Sequence, residues 1–126
     1  MMKSRRKQRG IALVTIAIIA LQLVGMSISL AALFSLNKSF GLVAANRGVK
    51  RGGLYGVVRH PIYAGYFISF AAYVAQNATV ANMALYAVFI GLELLRVAAE
   101  ERVLSSDPEY VNYARSTRWR VVPFVY

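Results

Sequence analysis

The chain has 126 residues, 58% of them hydrophobic, a formal net charge of +10 and a mean hydropathy of +0.50. That length holds one domain, and the apolar share exceeds the roughly 45–50% of soluble domains. With no cysteine and one histidine, a disulfide scaffold, a thiolate metal site and a His-rich metal site are excluded.

The charge is unevenly distributed. Residues 1–92 carry ten Lys/Arg and no acid, whereas residues 93–126 carry five of each sign. The basic residues bracket apolar stretches, as in segments that face anionic lipid. No nucleic-acid-binding motif accompanies them, so membrane lipid is the expected partner and nucleic acid is not.

Residues 1–10 form a basic tail with Lys3, Arg5, Arg6, Lys7 and Arg9. Ile11–Leu36 follows, 26 residues without a charge. As a helix it would be about 39 Å long, enough to cross a hydrocarbon core of about 30 Å with tilt. It is also longer than the roughly 7–15 apolar residues of a signal peptide, which favours a true span.

Residues 37–60 read as a glycine-rich basic loop with Lys38, Arg47, Lys50, Arg51 and Arg59. Pro61–Leu92 is again free of charge. Pro61 suits the first turn of a helix, and His60 before it is biased away from helical geometry. Gln76, Asn77 and Thr79 mark a turn that divides the stretch into spans at about Pro61–Ala75 and Val80–Leu95; one unbroken helix is the alternative. The Asn77-Ala78-Thr79 sequon falls in this tight turn and is read as chance.

The spans are short for a bilayer, so the second is expected to continue past Arg96 as a charged helix, Arg96–Leu104, that leaves the bilayer. Asp107-Pro108 breaks it, with Ser106 or Asp107 as cap for a short amphipathic helix over Pro108–Thr117. Residues 117–126 form a basic, aromatic tail of a kind that suits the headgroup region. The expected fold is an all-α integral membrane helical bundle in one domain. It has about three transmembrane helices and a C-terminal amphipathic helix. Its parts are a tail (1–10), a span (11–36), a loop (37–60), a helical hairpin (61–99) and a C-terminal cap (100–126).

Two clusters carry chemistry. Arg96 and Glu100 are four residues apart and share a helix face. Glu93 lies about two turns before Glu100 on roughly the same side. Charges at membrane depth tend to line a polar cavity. A carboxylate there could hold a ligand ammonium group, and Arg96 a ligand carboxylate or carbonyl. The second cluster, Gly53 to Gly65, joins a loop to a helix start through Tyr55, His60 and Tyr63. Alternatively, Arg59, Tyr63 and Tyr66 act only as interfacial anchors.

Taken together, Gly53-x-Tyr55, Arg59-His60-Pro61-x-Tyr63-x-Gly65, Arg96-x-x-x-Glu100-Glu101-x-x-Leu104, Glu109-Tyr110-x-x-Tyr113 and Arg118-x-x-x-x-Pro123 occur in that order. This series resembles the isoprenylcysteine carboxyl methyltransferase family and its phospholipid-methyltransferase relatives over roughly residues 47–126. The resemblance implies an S-adenosylmethionine-dependent membrane methyltransferase. By the same resemblance Val49, Lys50, Tyr55, His60, Pro61, Ile62, Tyr63 and Glu100 are expected cofactor contacts. Arg96 is expected to face the methyl acceptor, and no metal is implied. The acceptor would be a membrane-soluble carboxylate, thiol or amine. A sterol-reductase-like enzyme using NADPH shares the Arg-His-Pro-x-Tyr element, but the Glu100-Glu101 pair favours the methyltransferase. A non-enzymatic membrane subunit, or a remnant that only binds cofactor, is the rival from another class.

A cytosolic cofactor requires the loop and the C-terminus to face the cytosol. With three spans the basic tail then lies on the far side. Tail and loop each carry five Lys/Arg, so the positive-inside rule does not choose between orientations. A homodimer in which Gly25, Ser27, Ser29, Ala31 and Ala32 allow close packing of the first span is one expected resolution.

Overall fold

The computed structural model describes residues 2–36 and 48–126; the expectations for Lys38, Arg47 and the first half of the loop lie outside these. Four helices follow in order: α1 (Met2–Leu36), α2 (Pro61–Gln76), α3 (Val80–Leu104) and α4 (Pro108–Ser116), with a short 3₁₀ turn at Gly53–Gly56 before α2. No strand occurs among the described residues.

The basic tail is not separate from the first span. α1 runs 35 residues from Met2, because Lys and Arg are good helix formers and Gly10 alone does not break the helix. The second span does continue past Arg96, and the charged segment Arg96–Leu104 is the last part of the 25-residue α3. α1 and α3 are long and apolar enough to cross a membrane. At 16 residues, or about 24 Å, α2 is shorter than a typical span.

Local signals set the helix ends. Pro61 opens α2 at the position where a missing N–H costs nothing. The Thr79 hydroxyl caps α3 by accepting from the Asn82 amide at 3.1 Å. Asp107 caps α4 by accepting from the Glu109 amide at 2.8 Å, with Pro108 next in line.

α1 and α2 pack along a stripe of small residues. Gly25 and Gly65 lie back to back, so close that a Cβ on Gly25 would sit 2.7 Å from the Gly65 carbonyl oxygen. The approach lets Ser29 donate to the Ile62 carbonyl at 2.9 Å and Ser69 to the Gln22 carbonyl at 3.0 Å. Close packing with hydrogen bonds across it is how helices associate where lipid provides no hydrophobic drive. Gly25, Ser29 and Ala32 are thus buried against the same chain, while Ser27 and Ala31 remain exposed.

α3 leans on α2 through aromatic contacts. Phe89 meets Phe67 and Phe70 at centroid distances of 6.2 and 4.7 Å, and Tyr86 donates to the Phe67 carbonyl at 2.8 Å. The outer faces of α1 and α3 stay apolar and exposed, with Leu13 and Leu85 about two-thirds open, as suits contact with lipid tails.

Beyond α3 the chain folds back under the bundle. Tyr110 and Tyr113 of α4 pack with Tyr55 and Ala32 in one buried cluster. Val121 packs with Tyr63 and Val97 in a second.

Candidate functional site

The site forms where the loop before α2, the last turns of α3, α4 and the C-terminal segment meet. Gly53 has a φ of +61°, which a glycine adopts without strain, and so lets the 3₁₀ turn form and direct Tyr55 inward. Two backbone bonds then fix the strand-like pair Arg59-His60. The Arg59 amide donates to the Trp119 carbonyl at 2.9 Å, and the His60 amide to the Arg120 carbonyl at 2.7 Å.

This fixes a buried imidazole, 6% exposed, between two neighbouring acids of α3. His60 Nε2 lies 2.8 Å from Glu101 Oε1, and Nδ1 lies 3.5 Å from Glu100 Oε2. Adjacent helical residues point about 100° apart, so the two carboxylates grip the ring from different sides. Burial by itself pushes the His60 pKa down. The two carboxylates outweigh that and hold it above the ordinary histidine value, which favours the imidazolium.

Each acid has a second set of partners. The Tyr63 hydroxyl donates to Glu100 Oε1 at 2.6 Å, and Arg96 Nε donates to the same oxygen at 3.2 Å. The Arg96 guanidinium also sits 6.0 Å from the centre of the Tyr63 ring. Glu101 Oε1 accepts from the Tyr110 hydroxyl at 2.6 Å and lies 3.2 Å from Nε of Arg59, whose side chain is 10% exposed. Arg120 Nε approaches Glu101 Oε2 at 3.8 Å. Buried charges of this kind persist only when paired and hydrogen-bonded.

The neighbouring tyrosines are pushed to high pKa. Burial raises Tyr55 and, with the Glu101 carboxylate, Tyr110. Burial also lifts Tyr113 to about 12. All three stay protonated and act as hydrogen-bond donors. Tyr113 donates to the Tyr55 carbonyl at 2.6 Å, and Tyr55 to the Ala32 carbonyl at 3.3 Å.

Of the residues singled out from sequence, His60, Tyr63, Arg96 and Glu100 converge in one network. Pro61 is buried directly beneath it. Tyr55, Ile62 and Val49 sit in the adjoining apolar cluster with Tyr110 and Tyr113. Lys50 is exposed. Glu93 keeps one carboxylate oxygen, Oε2, buried with no hydrogen-bond partner.

Sequence reasoning missed the centre of the network. Glu101 and Arg59 stand in the sequence motifs, but neither was expected to make a contact at the site. Arg120 carried no signal at all, because its contribution comes from a tail that returns through space. The site can hold a cation against its acids and an anion against Arg96. Both nitrogens of His60 are engaged by carboxylates, so it serves as a hub and not as a free base.

Comparison of the chain with protein-family models, with characterised proteins and with solved structures gives no match.

Proposed function

We propose that the chain is an S-adenosylmethionine-dependent membrane methyltransferase with a core like that of the isoprenylcysteine carboxyl methyltransferases. Its acceptor is a small or lipidic carboxylate, thiol or amine. One observation carries the reading: the start of α2 and the end of α3, 37 and 41 residues apart in sequence, meet at hydrogen-bond distance through Tyr63–Glu100 and His60–Glu101. These are the two segments whose motifs carry the resemblance. In this reading α1, α2 and α3 all cross the membrane, with the loop and the C-terminal cap on the cytosolic side. The short α2 is then accommodated by local thinning of the bilayer.

The residues fit such a cofactor. The orphaned Glu93 Oε2 is a buried acceptor awaiting a donor, as a ligand ammonium group would provide. Glu100 adds a second carboxylate on the same helix face. When bound, S-adenosylmethionine supplies an electrophilic methyl group on a sulfonium. The acids of α3 favour that positive charge, and Arg96 orients an anionic acceptor, so the chain acts mainly by positioning two reactants. Tyr63 holds Glu100 in place, while Tyr55, Val49 and Ile62 wall the loop side against water. A second copy of the chain would have to use a face of α1 other than Gly25 and Ser29, which α2 occupies, and Ala32, which the Tyr55–Tyr110–Tyr113 cluster covers.

The test is calorimetric titration of the detergent-purified chain with S-adenosylmethionine, beside Glu100→Gln. Binding weakened by about 1–3 kcal/mol, or roughly 5–150-fold, in the variant supports the reading. No binding by the wild type favours a non-enzymatic membrane module, in which the His60–Glu100–Glu101 network is a structural knot. That alternative draws on the engagement of both imidazole nitrogens within the chain.

A further inference from the structure

The C-terminal turn has a feature the proposed chemistry does not use. Val121 is buried against Val97 and Tyr63, and Tyr126 packs on the same cluster, yet Val122, Phe124 and Val125 between them are exposed. Phe124 is 85% exposed and Val125 77% exposed. Phe124 also has a φ of +66°, a backbone conformation that a bulky side chain rarely adopts. A tight turn closes there: the Tyr126 carbonyl accepts from the amides of Arg120, Val121 and Val122 at 2.8 to 3.0 Å. The strained residue is the one that projects its ring outward, and strain of this kind persists where surrounding structure enforces it.

Depth along the bundle says what this ring meets. About twenty residues of α3, counted from Val80, cross roughly 30 Å of hydrocarbon and end near Ala99. Val121 packs at the level of Val97, so the turn lies at the edge of the hydrocarbon, at headgroup height. The Trp119 and Phe124 rings meet at a tilt of 50° with centroids 5.5 Å apart, and the Arg118 guanidinium sits 6.0 Å from the Trp119 ring centre. Arg115 and Arg118 are both exposed. Residues 48–60 and 100–126, which form this end, carry seven Lys/Arg against four acids. An aromatic wedge with Arg118 against it, at headgroup depth on a net basic end, matches an anionic lipid surface.

We infer that the turn at residues 121–126 is a docking wedge for anionic phospholipid: Phe124 and Val125 enter the headgroup–acyl boundary, and Arg115 and Arg118 meet the phosphates. The same segment supplies the Trp119 and Arg120 carbonyls that hold Arg59 and His60, so lipid docking also seats the segment that closes the site. This inference stands apart from the methyltransferase reading.

Trp119 is the chain's one tryptophan and therefore a built-in probe. The full chain is reconstituted in phosphatidylcholine vesicles with and without phosphatidylglycerol. Trp119 quenching is then read with lipids brominated high on the acyl chain and with aqueous iodide. The expected result is bromolipid quenching that rises at least twofold with phosphatidylglycerol and falls at high salt or in Arg115→Gln/Arg118→Gln. Phe124→Gly relieves the positive φ, so the turn keeps its fold, but bromolipid quenching should fall at least twofold and iodide access rise. Quenching unaffected by phosphatidylglycerol overturns the anionic recognition. Wild-type behaviour in Phe124→Gly overturns the wedge. A Trp119 shielded from both quenchers overturns the inference in favour of cover by protein.

Discussion

The contact between Gly25 and Gly65 allows a sharp test of how the first two helices are joined. A Cβ at Gly65 would lie 2.7 Å from the Ser29 amide nitrogen and would also run into the Gly25 carbonyl and the Ser29 hydroxyl. Ordinary contacts begin near 3.4 Å, and the neighbours are largely backbone, so α1 and α2 must part by roughly 1 Å. A gap of that size forfeits much of the dispersion energy along the stripe. It also stretches the Ser29–Ile62 and Ser69–Gln22 hydrogen bonds. Overpacking of this kind costs about 1–3 kcal/mol, and the better helix propensity of alanine returns up to about 1 kcal/mol, so Gly65→Ala should lose about 1–2 kcal/mol net. Gly91 is the control: it lies mid-α3 with nothing within 4 Å of its would-be Cβ, so Gly91→Ala should be neutral or gain up to about 1 kcal/mol. Unfolding in mixed micelles of rising sodium dodecyl sulfate fraction, followed by Trp119 fluorescence, separates the two. If Gly65→Ala unfolds at or beyond the wild-type midpoint, alongside Gly91→Ala, the close helix contact is refuted.

Further outcomes follow from the network. Glu101→Gln removes the charge that faces Arg59, His60 and Arg120. It should destabilise docking of the C-terminal segment by about 1–3 kcal/mol, read as faster tryptic cleavage after Arg118 and Arg120; an unchanged cleavage rate would show that the ion pairs do not hold the segment. His60 has a folded-state pKa above its unfolded value, so its stabilisation is complete below about pH 6.5 and is lost as pH rises through the folded value. The same proteolysis should therefore accelerate from neutral to alkaline pH, with the slope flattened in His60→Gln. Asp107→Ala should cost about 0.5–2 kcal/mol by removing the α4 cap, seen as loosened protection of Tyr110 and Tyr113 amides in hydrogen exchange.

Signals confined to a few residues were readable from sequence alone. Pro61, Thr79 and Asp107-Pro108 set helix ends through local bonds, and the helices begin where those residues stand. One boundary was drawn instead at a change of charge, after Gly10. There the backbone carries on, because a change of charge can mark a membrane edge without ending a helix. His60, Tyr63, Arg96 and Glu100 could be named because each sits in a short motif. The role of Glu101 depends on Arg59, Tyr110 and Arg120, which only the tertiary fold brings near. The small residues of α1 were visible too, but nothing in α1 itself shows that Gly65 and Ser69 of the same chain would occupy them.

The bond between the His60 amide and the Arg120 carbonyl also fixes an order of events during synthesis. α1 and α2 are made first and can settle against each other while α3 is still on the ribosome. The acidic end of α3 comes next and offers His60 its two carboxylates. The stretch that fastens the pair Arg59-His60 emerges after α3, some sixty residues beyond the histidine it secures. Closing so long a loop is slow compared with joining neighbouring helices. Every nascent form that has released α3 but not Trp119 and Arg120 therefore holds its helices in register while its central imidazole stays unfastened.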